Sequence, residues 1–240
     1  MKNDNPIKAR ILEHNKKAEY ISGAETGIEK VRWNANDSIE QFVKSDDEIA
    51  EIQKKVEVAF QEVLDAMVID TENDHNTQET AKRVAKMYVR EVFAGRFEPM
   101  PKITTFPNVG YDQMYISGPI TVRSTCAHHF QPIVGHCWVG IQPGDTVIGL
   151  SKFNRLVDWV ASRPQIQEEM TEQIADVIEE QTNPKALAVV VKAQHFCMTH
   201  RGVKEHESDM TTSVMRGGFR TDATLRHEFL TLMNNMKGHD

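Results

Sequence analysis

The hydrophobic period of this chain changes once, near Lys102, and that change limits the folds open to it. Before it, Ile49, Ile52, Val56, Phe60, Val63 and Met67 fall on one helical face from Asp46 onward. A polar stretch, TENDHNT, then gives way to a second helix over 78–94. Val84, Met87, Tyr88 and Val92 form its stripe and Gly95 is its expected stop. Beyond Lys102, Met114–Ile116, Ile120–Ser124 and Cys137–Ile141 read as strands separated by the turn sequences SGP and QPGD. Helical sequence returns at Lys152–Ala161, and after Arg163-Pro164 a longer helix carries Ile166, Met170, Ile174, Val177 and Ile178. The β-branched run Ala186–Ala193 (ALAVVVKA) is a buried strand, 210–216 can pair beside it, and Thr224–Met236 ends as a helix. Helices first, then strands grouped around a helix pair, predict an α+β fold rather than a doubly wound parallel sheet.

Residues 1–45 are polar and lack periodic apolar positions, so they read as an extension without chemistry; 46–100 form a helical region and 101–240 the main domain. The N-terminus shows no apolar signal-peptide core. No apolar run approaches the ~18 residues of a membrane span. Three cysteines do not make a disulfide framework. A reducing cytoplasm fits these features, and there cysteines serve as ligands, nucleophiles or core residues. A net charge of −7 argues against broad nucleic-acid binding and leaves any anionic substrate to a local cluster of Lys and Arg.

The stretch STCAHHF (Ser124–Phe130) sets Cys126 and His129 at C-x-x-H spacing, enough for two metal ligands on one turn. Zinc takes three or four. A third is available in AQHFCMTHRG, directly after the buried strand: in an extended chain His195 and Cys197 point to one face. Cys126, one histidine of the 128/129 pair, and Cys197 would leave the fourth zinc position for water, whose pKa would fall toward ~7. Spacing does not say which of His128 and His129 ligates. The other, with His195, is a general acid–base candidate. The competing reading makes these cysteines core residues. Cys137, inside the strand sequence CWVGI, takes that core reading; His136, His14, His75, His200, His206, His227 and His239 cluster with nothing and read as surface or structural.

GLSKFNR (Gly149–Arg155) opens a helix with Lys152 and Arg155 on one face of its first turn and Ser151 near the N-cap, where free N–H groups favour an anion. Arg83 and Lys86 repeat that spacing on an earlier helix, and Arg201 follows Cys197 by four residues. Glu168, in RPQIQEEM, supplies a carboxylate suited to the N–H and amino group of a guanine-like ring. Taken singly, each of these groups also reads as ordinary solvated surface.

Together these stretches resemble one family, GTP cyclohydrolase I. CAHHF stands where that family has C-E-H-H-F, followed by GLSK-x-N-R, RPQ-x-QE, H-x-C-x-x-x-RG, TTS near 212 and LRHEFL, with ET-x-x-RVAKMY upstream, over roughly Glu48 to Met236. The resemblance implies a tunnelling fold: N-terminal helices, then a four-stranded antiparallel sheet with a helix pair inserted between its middle strands. It implies a homodecamer with sites at subunit boundaries, zinc (Zn2+) on Cys126, His129 and Cys197, and proton transfer by His128 and His195. Gln167 and Glu168 would hold the guanine ring; Ser151, Lys152, Arg155 and Arg201, with Arg83 and Lys86, would hold the triphosphate. The implied reaction converts GTP and water to 7,8-dihydroneopterin triphosphate and formate. One departure stands out: Ala127 occupies the place of the family's Glu. Two other readings share the features: the nitrile reductase of queuosine synthesis, with a nucleophilic cysteine and NADPH, and a zinc-stabilised oligomer that binds a nucleotide without turning it over.

Overall fold

The computed structural model describes residues 33–43 and 45–236. Helix α1 (Asp46–Ala66) begins where Ser45 and Glu48 close a capping box: each accepts from the other's backbone N–H, at 3.2 and 3.1 Å. Ile49, Ile52 and Val56 of its stripe pack with Val89, Phe93 and Phe97. Val63 and Met67 do not follow them inward; they are 47% and 57% exposed, and Leu64 is buried instead.

The expected second helix is broken into three pieces: α2 (Thr80–Lys86), a π-helical stretch (Met87–Val92) and α3 (Ala94–Phe97). Gly95 therefore does not stop a helix. It is buried within α3, and a Cβ there would stand 1.9 Å from the carbonyl oxygen of Trp159. Close approach between two backbones, not termination, is what requires glycine here. Of the extension expected over 1–45, residues 33–43 join this layer: Ile39 is buried, and Trp33 and Val43 pack on the same cluster. Residues 1–32 lie outside the described residues, as does His14.

A short ladder pairs β1 (Thr105–Pro107) with β4 (Thr146–Ile148). The main sheet runs through β2 (Tyr115–Cys126), β3 (Pro132–Gln142), β6 (Ala186–His195) and β7 (Met210–Gly217), each antiparallel to the next. A two-residue strand, β5 (Pro164–Gln165), adds in parallel beside β2, so the sheet has five strands rather than four, in the order β5-β2-β3-β6-β7. The sequence SGP does not separate two strands either. It is an irregularity inside β2, where the register against β3 shifts between Ser117 and Ile120.

Helices α4 (Leu150–Ala161) and α5 (Gln167–Thr182) come between β3 and β6 in the chain and cover one face of the sheet. Phe153, Leu156, Met170 and Ile174 meet Val139, Val189 and Val191 there, and Cys137 is a fully buried member of the same core. On the other face, α7 (Gly218–Thr221) and α8 (Ala223–Asn235) place Phe219 and Phe229 against Ala188 and Val190. Both faces of β6 are thus covered, which is why its sequence is an apolar run without alternation.

Candidate active site

The sheet register brings the chemistry-bearing segments to one end of the sheet. Thr125 pairs with Pro132, so the turn 126–131 closes there; His195 lies opposite Ile133, so β6 ends beside it. The turn is held by Phe130 N–H to Cys126 O at 2.9 Å and Cys126 N–H to Gln131 O at 2.8 Å. Phe130 sits in the left-handed region at φ 52°, a costly place for a side chain without a polar group. Its ring offsets that cost by packing on Tyr88 and Phe93, with centroids 5.8 and 5.3 Å away. On the other side, Ala127 N–H donates to Gln165 O at 3.1 Å, tying the turn to β5 and so to the start of α5.

A shared face for His195 and Cys197 needs extended chain through Cys197, but β6 stops at His195, and Phe196–Thr199 form one helical turn, α6. The two side chains consequently meet different partners. Cys197 packs against the core cluster that contains Cys126; burial and the neighbouring Cys126 raise its pKa, while Arg201 pulls it down. Arg201 Nη1 lies 2.9 Å from His129 Nε2. A guanidinium can only donate, so that ring nitrogen carries the lone pair. His128 is exposed, its ring nearly perpendicular to that of His129 with centroids 6.5 Å apart. Among the described residues, no three His, Cys, Asp or Glu side chains converge as a ready-made metal cluster.

His195 is held by Gln167, which is fully buried. Gln167 Nε2 faces three acceptors: Val191 O at 3.1 Å, Met210 O at 3.0 Å and Thr212 Oγ at 3.1 Å. Two are backbone carbonyls, which fixes the amide orientation and leaves Oε1 toward His195 Nε2 at 2.8 Å. A carbonyl oxygen only accepts, so His195 carries its proton on Nε2 and presents the Nδ1 lone pair. Burial lowers the pKa of this imidazole, opposed by the charge of Glu168. Glu168 itself is exposed at the start of α5. The family resemblance places Gln167 on the ring of a base and implies no role for Thr212; the side-chain amide of Gln167 is instead consumed inside the protein. Thr212, which also meets the Thr171 hydroxyl at 2.6 Å, belongs to this support. The TTS motif was its only sequence signal.

The remaining cations are not brought to this cluster. Ser151 and Arg155 are exposed on the first turns of α4, where Gly149 leaves the N-cap without a side chain, and Lys152 Nζ donates to Lys102 O at 3.1 Å. Arg83 and Lys86 are exposed on the α2 layer and pair with Glu79 at 3.1 Å and Glu91 at 3.6 Å. No hydrogen bond or ion pair among the described residues joins these five to Cys126, His129 or His195. His239 lies outside the described residues.

No helix among the described residues is long and apolar enough to cross a membrane. A crystal structure of the archaeosine synthase QueF-Like in the apo form matches 49% of this chain and 96% of its own, at 16% identity and a TM-score of 0.34. Sequence relatives are nearer. GTP cyclohydrolase 1 of Actinobacillus pleuropneumoniae is 43% identical over 187 residues, 77% of this chain and 84% of that protein. The Haemophilus ducreyi protein of the same name is 41% identical over 199 residues, 82% and 89% of the two chains. That of Shewanella loihica is 40% identical over 181 residues, 75% and 84%. With the family model for GTP cyclohydrolase I matching residues 56–234 as well, the chain belongs to the GTP cyclohydrolase I family.

Proposed function

We propose that this protein is a zinc-dependent cytoplasmic hydrolase that converts GTP and water to 7,8-dihydroneopterin triphosphate and formate, opening a pterin, folate or deazapurine pathway. The observation that carries the reading is His195, tautomerically set by Gln167, at the same end of the sheet as the Cys126–Cys197 thiol pair. The donor chemistry suits zinc: two thiols belong to one packed cluster, and His129 follows Cys126 by three residues. Cys126, His129 and Cys197 would hold the metal, which when bound activates water for attack on the purine C8.

His195 offers Nδ1 as a base and can return the proton to the opening imidazole ring of the substrate, with Gln167 keeping the tautomer in place. Exposed His128 is the second proton-transfer group. Glu168 accepts from the guanine N–H and amino group, while Gln167 acts behind the site rather than on the base. A neutral imidazole has one lone pair, so His129 either accepts from Arg201 or ligates. A ligating His129 therefore leaves the Arg201 guanidinium free for a phosphate. Ser151, Lys152, Arg155, Arg83 and Lys86 complete triphosphate binding from neighbouring subunits.

The tunnelling fold and a homodecamer are part of this proposal. Cations that do not reach the cluster within one chain, and exposed apolar residues such as Val63 and Met67 on α1, support shared sites. Light scattering is expected to show a decamer; an active monomer would refute the shared-site reading. The function itself is tested with purified, zinc-replete protein and GTP, following product absorbance and formate. One formate per GTP consumed is expected. GTP binding without formate would instead mark a nucleotide binder, and NADPH oxidation with a deazapurine nitrile would mark a reductase.

A further inference from the structure

Residues 33–43 precede the stretch that matches the family, 56–234, yet they are built into the supports of the candidate site. Arg96 Nη1 faces three carbonyls of the segment, Asn34 O at 2.6 Å, Ala35 O at 2.8 Å and Asp37 O at 3.1 Å, and its own carbonyl accepts from Ile39 N–H at 2.7 Å. The segment is thereby curled around one guanidinium.

A second guanidinium lies beneath it. Arg163 is 4% exposed and stacks 4.0 Å from the ring centre of Trp159. It donates from Nε to Gly95 O at 3.0 Å and from Nη1 to Asn36 O and Gln173 Oε1, both at 3.2 Å. Its Nη2 has no acceptor among the described residues. A buried charge short of partners depends on each one it has, and one of these is the Asn36 carbonyl. Burial brings this guanidinium down to about 9, still charged at neutral pH.

The side chain of Asn36 makes the link to the site. It is 6% exposed, and its Nδ2 donates to Glu169 Oε2 at 2.7 Å. Glu169 is in the first turn of α5, next to Glu168 and two residues after Gln167. That helix has no side-chain cap of its own: Ile166 is at the N-cap. Arg163 directly precedes β5, whose Gln165 carbonyl holds Ala127 in the Cys126–Phe130 turn. One residue thus touches the entry of α5 through its side chain and the entry of β5 through its carbonyl.

We propose that Asn36 is a positioning residue and that the 33–43 segment is an intrinsic brace for the base-recognising turn at Gln167 and Glu168. The brace sets the approach of Glu168 to the guanine edge, so its loss weakens substrate binding more than turnover. This rests on the GTP reading given above only for the identity of the substrate.

The test is a cycle of Asn36→Ala, Glu169→Ala, their double variant and Glu169→Gln in the full chain, with GTP kinetics, thermal unfolding and amide exchange. A charge-assisted hydrogen bond to a partly exposed carboxylate predicts a rise in the KM for GTP of about threefold to tenfold for either Ala variant, with kcat within about twofold. The double variant should be no worse than the single ones. Glu169→Gln keeps an acceptor oxygen but not its charge, and its KM should lie between those of the wild type and Glu169→Ala. The Met170 amide, which bonds Ile166 O at 3.0 Å in that first turn, should exchange faster in Asn36→Ala. A lower unfolding temperature with unchanged KM and unchanged Met170 exchange would overturn the proposal by reducing the segment to bulk stabilisation. Failure of the function reading would be seen differently: wild-type protein would release no formate, while the exchange measurement would still decide on the brace.

Discussion

Replacing His195 with Ala is expected to cut formate release from GTP by about 10²–10⁴-fold, the usual contribution of a general acid–base group, while zinc content and GTP affinity stay near wild type. The expectation follows from the placement of the imidazole. Gln167 fixes the proton on Nε2, burial favours the neutral ring against the charge of Glu168, and Nδ1 is left for proton transfer. Neither ring nitrogen is committed to Cys126 or Cys197, so truncation leaves the thiol pair intact. Lys152→Ala and Arg155→Ala provide the contrast. Those cations lie on α4 and would contact phosphates remote from C8, so their loss should appear chiefly as weaker GTP binding. Some fall in turnover is also expected, because remote binding energy helps to orient the reacting centre. Restoring the family's carboxylate with Ala127→Glu would show whether that departure limits the rate. Normal turnover by His195→Ala would remove His195 from the mechanism.

The parts of this molecule written as local patterns were legible in the sequence, and the parts made by tertiary contact were not. The 3.6-residue period of α1 and α5 and the β-branched run of β6 predicted those elements closely, since each signal lies within one element. Gly95 misled because a glycine needed for close backbone approach looks the same in sequence as a helix stop. SGP misled because a bulge and a turn use the same residues. Residues 33–43 carry a single buried aliphatic, Ile39, too little to show any period, and are held by backbone carbonyls that no side-chain pattern records. At the candidate site, the supports were not legible: Gln167 in a sequence is simply a polar residue near Glu168, and only the folded chain shows its amide saturated by Val191, Met210 and Thr212.

Cysteine is the other place where position decides role, and its test carries the second large effect. Cys197→Ala is expected to abolish stoichiometric zinc, from about one per subunit, and with it formate release, because a three-ligand site cannot lose a thiolate and keep its metal at ordinary concentrations. Cys137→Ala should keep both. Cys137 is fully buried between the sheet and α4–α5, and burial raises its pKa strongly, so the ionised form a metal requires is disfavoured. Its truncation should cost only stability, about 1–3 kcal/mol in denaturant unfolding, as for other small cavities in a packed core. Cys197 is half-buried, packs against the cluster that contains Cys126, and Arg201 favours its ionisation. A second readout does not involve catalysis: bound zinc should protect Cys126 and Cys197 from thiol reagents, and chelation should expose Cys197 first, since Cys126 is buried and Cys197 is not. Metal analysis showing zinc lost from Cys137→Ala and retained in Cys197→Ala would reverse the assignment and place the metal in the core.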